Sequence, residues 1–261
     1  MNKPNFHGRW FNDRLNTRYY DDIEFVPHDD HSILIRRRVA RVRNSIHDIT
    51  SKIDMISYHV HMVEERISLI AKLMPEMLED LSKDIGANPD VHLQAVKNAE
   101  IIMEFYDYIL SANLESALVQ TKAFLDSIAQ FYSVVFERDI RSFSSKGKNL
   151  LNDISNLPKT LTVYSDDLCS TIKSAKKEWI GIAIDYRDKV VHFGCLREFR
   201  CPTITFDNRI KYSIKDVKNS IMPDQRETLM YLHQLFESQF EFCKRFLDIG
   251  FRRLRERYPI S

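Results

Sequence analysis

The chain has 261 residues, 44% of them hydrophobic and 29% charged, a mixture that excludes a disordered polypeptide and is long enough to bury a substantial core. Its net charge is only +1, so it does not coat nucleic acid by bulk electrostatics, and any such contact is local. Six Gly and eight Pro are too few for the turns of a sandwich or barrel, which leaves long helices and an all-α fold.

Residues 1–30 carry aromatics without a period (Phe6, Trp10, Phe11, Tyr19, Tyr20, Phe25) and read as an irregular arm that packs on something. The amino end has no apolar core of the kind a secretory signal needs, and no apolar run reaches the ~20 residues that span a bilayer. The expectation is a cytoplasmic protein with no membrane contact.

Residues 31–86 form the most regular segment. Ile35, Val39, Val42, Ile46, Ile49, Ile53, Ile56, Val60, Val63, Ile67 and Ile70 alternate spacings of four and three, a heptad pattern about 50 Å long. Such a stripe needs a partner helix, within the chain or in a second copy, and the apolar later half of the long helix that follows favours packing within the chain. His59 and His61 lie off the stripe and read as exposed imidazoles. Met74 to Asp84 either extends this helix or restarts it after Pro75, and Gly86 ends it.

Residues 87–261 read as a second helical domain. Asn88-Pro89-Asp90 is a helix start, and Val91 to Glu137 holds no Gly or Pro, so it is one long helix or two with a break near Ser111 to Asn113. Asp126 interrupts its apolar later half and is either a surface residue or the partner of a buried cation. A polar connector (Ser142, Ser144, Ser145, Gly147) leads to a short helix around Leu150 to Ile154. Ser165-Asp166-Asp167 caps the next helix, which runs to about Phe193 and stops at Gly194. Residues 201–213 read as a small β-hairpin, and Pro223-Asp224 starts a final helix reaching about Arg257. Two arginine runs, Arg36 to Arg43 and Arg252 to Arg257, are solvated faces or local anion contacts.

Placed on a helix at 100° per residue, Trp179, Ile180, Ala183, Ile184, Val190 and Val191 share one broad apolar arc with Arg187 near its middle. A charge in such a place needs a partner, Asp126 or an anion such as phosphate. Asp188 and His192 are four apart and share a face, where a carboxylate orients an imidazole. Arg187, Asp188 and His192 span about 140°, and a cation, a carboxylate and an imidazole are the parts that acid–base chemistry on a phosphodiester requires. His192, Cys195 and Cys201 lack a fourth ligand, so neither a metal nor another cofactor is expected, and the four cysteines read as free thiols.

The string Arg187-Asp188-Lys189-Val190-Val191-His192 resembles the R-x4-6-H motif of the HEPN superfamily, with the polar residue that usually follows the Arg. It closes a late helix, follows a long helix carrying Leu125-Asp126-Ser127, and is ended by Phe193-Gly194. The resemblance covers about residues 90–260 and implies a small helical bundle that dimerises. In active members two facing motifs form a metal-independent endoribonuclease, often a toxin or a phage-defence effector. Carried over, Arg187 holds the scissile phosphate, His192 moves the proton, and Asp188 orients His192, with Asp126 in support. The products are a 2′,3′-cyclic phosphate and a 5′-hydroxyl. The implied partners are RNA, a second copy of the chain, and an antitoxin or other defence protein. Gly194 stands where one toxin branch has a nucleotidylated Tyr, so that control does not carry over. The competing expectation is a non-catalytic HEPN-like module for ligand or protein binding.

Overall fold

A computed structural model describes residues 33–84, 89–193, 200–204, 210–214 and 226–257, and these belong to an all-α protein. The arm, the expected helix end at Gly86 and the expected stop at Gly194 lie outside the described residues. No described helix is long and apolar enough to cross a membrane.

Helix α1 (Ile33–Asp84) is continuous, so Pro75 lies inside it rather than at a restart. A proline there removes one backbone hydrogen bond of a long ladder without ending the helix. Helix α2 (Pro89–Phe136) opens on Pro89, where a missing N–H costs nothing because the first turn's donors are unbonded anyway. It passes through Ser111 to Asn113 without a break, and Asn113 turns its amide back onto the carbonyl of Ile109. Glu137 then takes φ +56°, and the Arg138 N–H closes onto the carbonyl of Ser133. This is a Schellman stop built on a residue other than Gly.

After the connector, α3 (Lys148–Ser155) leads through a 3-10 turn (Lys159–Leu161) into α4 (Thr162–Ala175). The start of α4 corrects the expected cap. The helix begins three residues before Ser165, because the turn closed by the Leu161 N–H on the Pro158 carbonyl already launches it. The Ser165 hydroxyl donates instead to the carbonyl of Ile154 on α3. A π turn (Lys176–Ile180) joins α4 to α5 (Gly181–Phe193) without leaving the helical path. Strands β1 (Arg200–Ile204) and β2 (Ile210–Ile214) pair antiparallel, and β3 (Arg226–Glu227) pairs with β2. The last helix, α6 (Thr228–Arg257), therefore starts later than Pro223-Asp224 suggested, since Arg226 and Glu227 are engaged by the sheet.

The described residues fall into two compact units. One lies within Met1–Tyr58, Leu118–Asp185 and Leu235–Ser261, the other within His59–Ala117 and Tyr186–Gln234. In the first, Val42, Ile46, Ile49, Ile53 and Ile56 of the α1 stripe are at most 3% exposed within the single chain. Phe124 and Phe131 of α2 meet Phe242 and Phe251 of α6, and Trp179 of the π turn meets Phe242 edge-on at 5.7 Å. Gly250 makes room for this packing, since a Cβ there would lie 2.4 Å from the Phe131 ring. The second unit buries Val60, Val63, Leu114 and Leu232, and sets Tyr186 of α5 edge-on to Tyr231 of α6.

Of the two off-stripe histidines, His59 is half-buried, which corrects the reading of it as exposed, while the His61 side chain is 43% exposed. His59 is hydrogen-bonded to the Asn113 amide at 3.0 Å, and His61 faces Glu65 one turn on.

Candidate functional site

The helix that carries Arg187, Asp188 and His192 is α5, and the π turn before it sets its phase. A π turn holds more residues than an α turn, so an arc drawn at 100° per residue from Trp179 drifts before it reaches Arg187. Trp179, Ile180, Ala183 and Ile184 are buried as the arc requires, and Tyr186 is buried too. Val191 departs from the arc, at 49% exposed.

Arg187 is neither buried nor free, with its side chain 27% exposed. Its Nη1 donates to Oδ1 of Asp188 at 2.9 Å. Its Nε is shielded from solvent and finds no acceptor among the described residues. The acceptor expected for Arg187 was Asp126 or an anion, and the carboxylate found on it is that of the next residue. Asp188 is 47% exposed, so the pair is half-solvated and adds little to stability. His192 follows one turn later in the same helix, and its side chain is not among those described.

Asp126 has other work. Its Oδ1 accepts the Lys122 ammonium from one turn earlier and the backbone N–H of Phe143 at 2.7 Å, tying the connector to α2. The cation it meets is a largely buried lysine of its own helix, its side chain 21% exposed. Phe143, thus anchored, is fully buried.

Two polar clusters escaped the sequence reading. Arg138 grips both carboxylate oxygens of Asp153 through Nε and Nη2, while the Tyr132 hydroxyl donates to Oδ2 at 2.7 Å. Burial raises the Asp153 pKa, but the bonds from Arg138 and Tyr132 outweigh it and hold the carboxyl below its ordinary range. Burial and the same carboxylate push Tyr132 well above a normal phenol. The second cluster is the ion pair of Lys146, in a left-handed turn of the connector, with Asp185 of α5. No local pattern signals either pair.

Among the described residues, no group of His, Cys, Asp or Glu could hold a metal ion. The C-terminal arginine run is partly engaged: Arg252 pairs with Asp167 and lies over the Tyr164 ring, and Arg257 pairs with Glu137. No protein-family profile, curated protein or solved structure matches the chain.

Proposed function

We propose that the chain is a HEPN-type, metal-independent endoribonuclease, working as a homodimer on RNA in the cytoplasm as a toxin or phage-defence effector. The observation that carries the reading is the half-buried Arg187–Asp188 pair one turn before His192 on a single helix. A guanidinium has five N–H donors, and the Asp188 bond takes one, which leaves donors for a phosphate oxygen.

In this reading Arg187 binds the scissile phosphate and stabilises the charge that builds on it. The ribose 2′-oxygen attacks phosphorus, and the bond to the 5′-oxygen breaks. His192 takes the 2′-hydroxyl proton or protonates the leaving oxygen, giving a 2′,3′-cyclic phosphate and a 5′-hydroxyl. Asp188 holds Arg187 in place and orients His192. The fold is then a HEPN-like bundle, with 201–213 closed as a hairpin between β1 and β2. An antitoxin or other defence protein is the regulatory partner.

A second reading, a non-catalytic HEPN-like binding module, is favoured by one detail. The Asp188 carboxylate that should orient His192 already bonds Arg187. Incubating pure protein with mixed RNA in excess EDTA, beside Arg187→Ala and His192→Ala, separates the two. The nuclease reading expects cleavage by wild type alone, and the module reading expects none.

A further inference from the structure

The arginine run at the start of α1 has no part in the site on α5, and its described end borders a cleft. The cleft has a volume of about 400 Å³ and lies where one face of α1 meets α2 and the connector beyond it. Arg41, Asn44 and Asp48 follow at i, i+3 and i+7, one face of α1, and Gln130 and Arg141 stand opposite. Arg41 is exposed and makes no ion pair among the described residues. Among the described residues Arg141 meets only Asp139, at 3.3 Å with both side chains more than four-fifths exposed, a contact that water largely cancels. Arg37 and Arg38 precede Arg41 by one turn of the same helix, so the backbone carries the run straight to the cleft. Two arginines, an asparagine and a glutamine thus line one concavity with a single carboxylate, that of Asp48, among the lining residues.

We propose that this cleft binds the phosphodiester backbone of single-stranded RNA, with Arg41 and Arg141 as the phosphate contacts. This rests on the RNA-cleaving reading only for the choice of RNA as the anion. A net charge of +1 requires RNA contact to be local, and here two arginines from separate segments line one cleft of about 400 Å³. Asn44 and Gln130 donate to phosphate or sugar oxygens. Asp48 opposes binding and limits its strength.

The test is fluorescence anisotropy of a labelled single-stranded RNA oligonucleotide with full-length His192→Ala protein in EDTA, at several salt concentrations. Adding Arg41→Ala and Arg141→Ala together should weaken binding about tenfold or more. The slope of log affinity against log salt should fall by about 1.4, at about 0.7 per single-strand phosphate contact. Asp48→Ala should tighten binding. All three positions are exposed, and unchanged circular dichroism would show that the variants fold. Unaltered affinity and slope in the double variant would overturn the inference, as would absence of RNA binding or arginine-dependent binding to phosphatidylserine vesicles alone. Wild type that cleaves RNA while the double variant binds normally would refute the cleft and spare the nuclease. Arginine-dependent RNA binding without cleavage by wild type would do the reverse.

Discussion

Replacing Ile53 with Asp tests whether the α1 stripe belongs to the core of a single chain. Ile53 is 1% exposed and stands in mid-stripe between Ile49 and Ile56, both equally buried. Losing an aliphatic side chain from such a site costs about 2–5 kcal/mol in transfer and cavity terms. The carboxyl must then be kept neutral in an apolar setting. Holding an aspartic acid protonated at pH 7, about three pKa units above its ordinary value, costs about 4 kcal/mol more. The sum, about 6–9 kcal/mol, is comparable with the whole stability of a typical domain. Ile53→Asp should therefore be largely unfolded at pH 7, as read by far-UV circular dichroism and urea titration. Ile53→Ala should fold with a lower midpoint, and Ile53→Asp should regain helix near pH 4, where its carboxyl protonates without penalty. Should Ile53→Asp unfold as cooperatively and as late as wild type, while gel filtration shows only a smaller species, the stripe is an oligomer seam. The intrachain packing would then be refuted.

Other substitutions probe separate parts of the packing. Arg138→Ala strands a mostly buried Asp153 and should cost about 2–3 kcal/mol in urea unfolding. Because Asp153 has a depressed pKa when folded, that contribution is complete above the ordinary aspartate value of about 3.9. It fades as pH falls further, so wild type and Arg138→Ala should converge in acid. Asp54 behaves oppositely: burial pushes its carboxyl up to about 6, only partly opposed by His47. Its ionisation penalty is absent below the unfolded value of 3.8 and complete above about 6. Asp54→Asn should raise the Tm at pH 7.5 and leave it unchanged near pH 3.5, and a gain of equal size at both pH values would contradict the assignment. Gly250→Ala puts a methyl against the Phe131 ring and should destabilise by about 1–3 kcal/mol. No change in its urea midpoint would mean that the ring moves freely.

The helical class and the α1 stripe were legible in the sequence because a period repeated over many residues outlasts local irregularity. Val42 to Val63 kept that period and are buried in one chain. Local signals fared worse. Ser165-Asp166-Asp167 has the composition of a cap, but the turn after Pro158 had already begun the helix, and the Ser165 hydroxyl was taken by Ile154. Nothing in Lys176-Lys177-Glu178-Trp179-Ile180 marks a π turn, so the phase of Arg187 could not be carried forward from Trp179. That a cation among apolar neighbours needs a partner was readable, with Asp126 or an anion expected, whereas the partner found, the carboxylate of the next residue, depends on the reach of a long side chain along the helix surface. Asp126 meeting Lys122 is an i, i+4 pair in plain view, while its bond to the Phe143 amide depends on a connector whose path no local pattern sets. The Arg138–Asp153–Tyr132 cluster joins a helix stop to another helix and lies beyond any spacing rule.

The most direct test of the proposed function is RNA cleavage in excess EDTA by wild type beside His192→Ala, with product ends identified. The account predicts metal-independent cleavage leaving 2′,3′-cyclic phosphate and 5′-hydroxyl ends. It predicts a loss of about 10²-fold or more in His192→Ala, the scale of a removed acid–base group. Equal cleavage by the two proteins, or none by wild type, would contradict it.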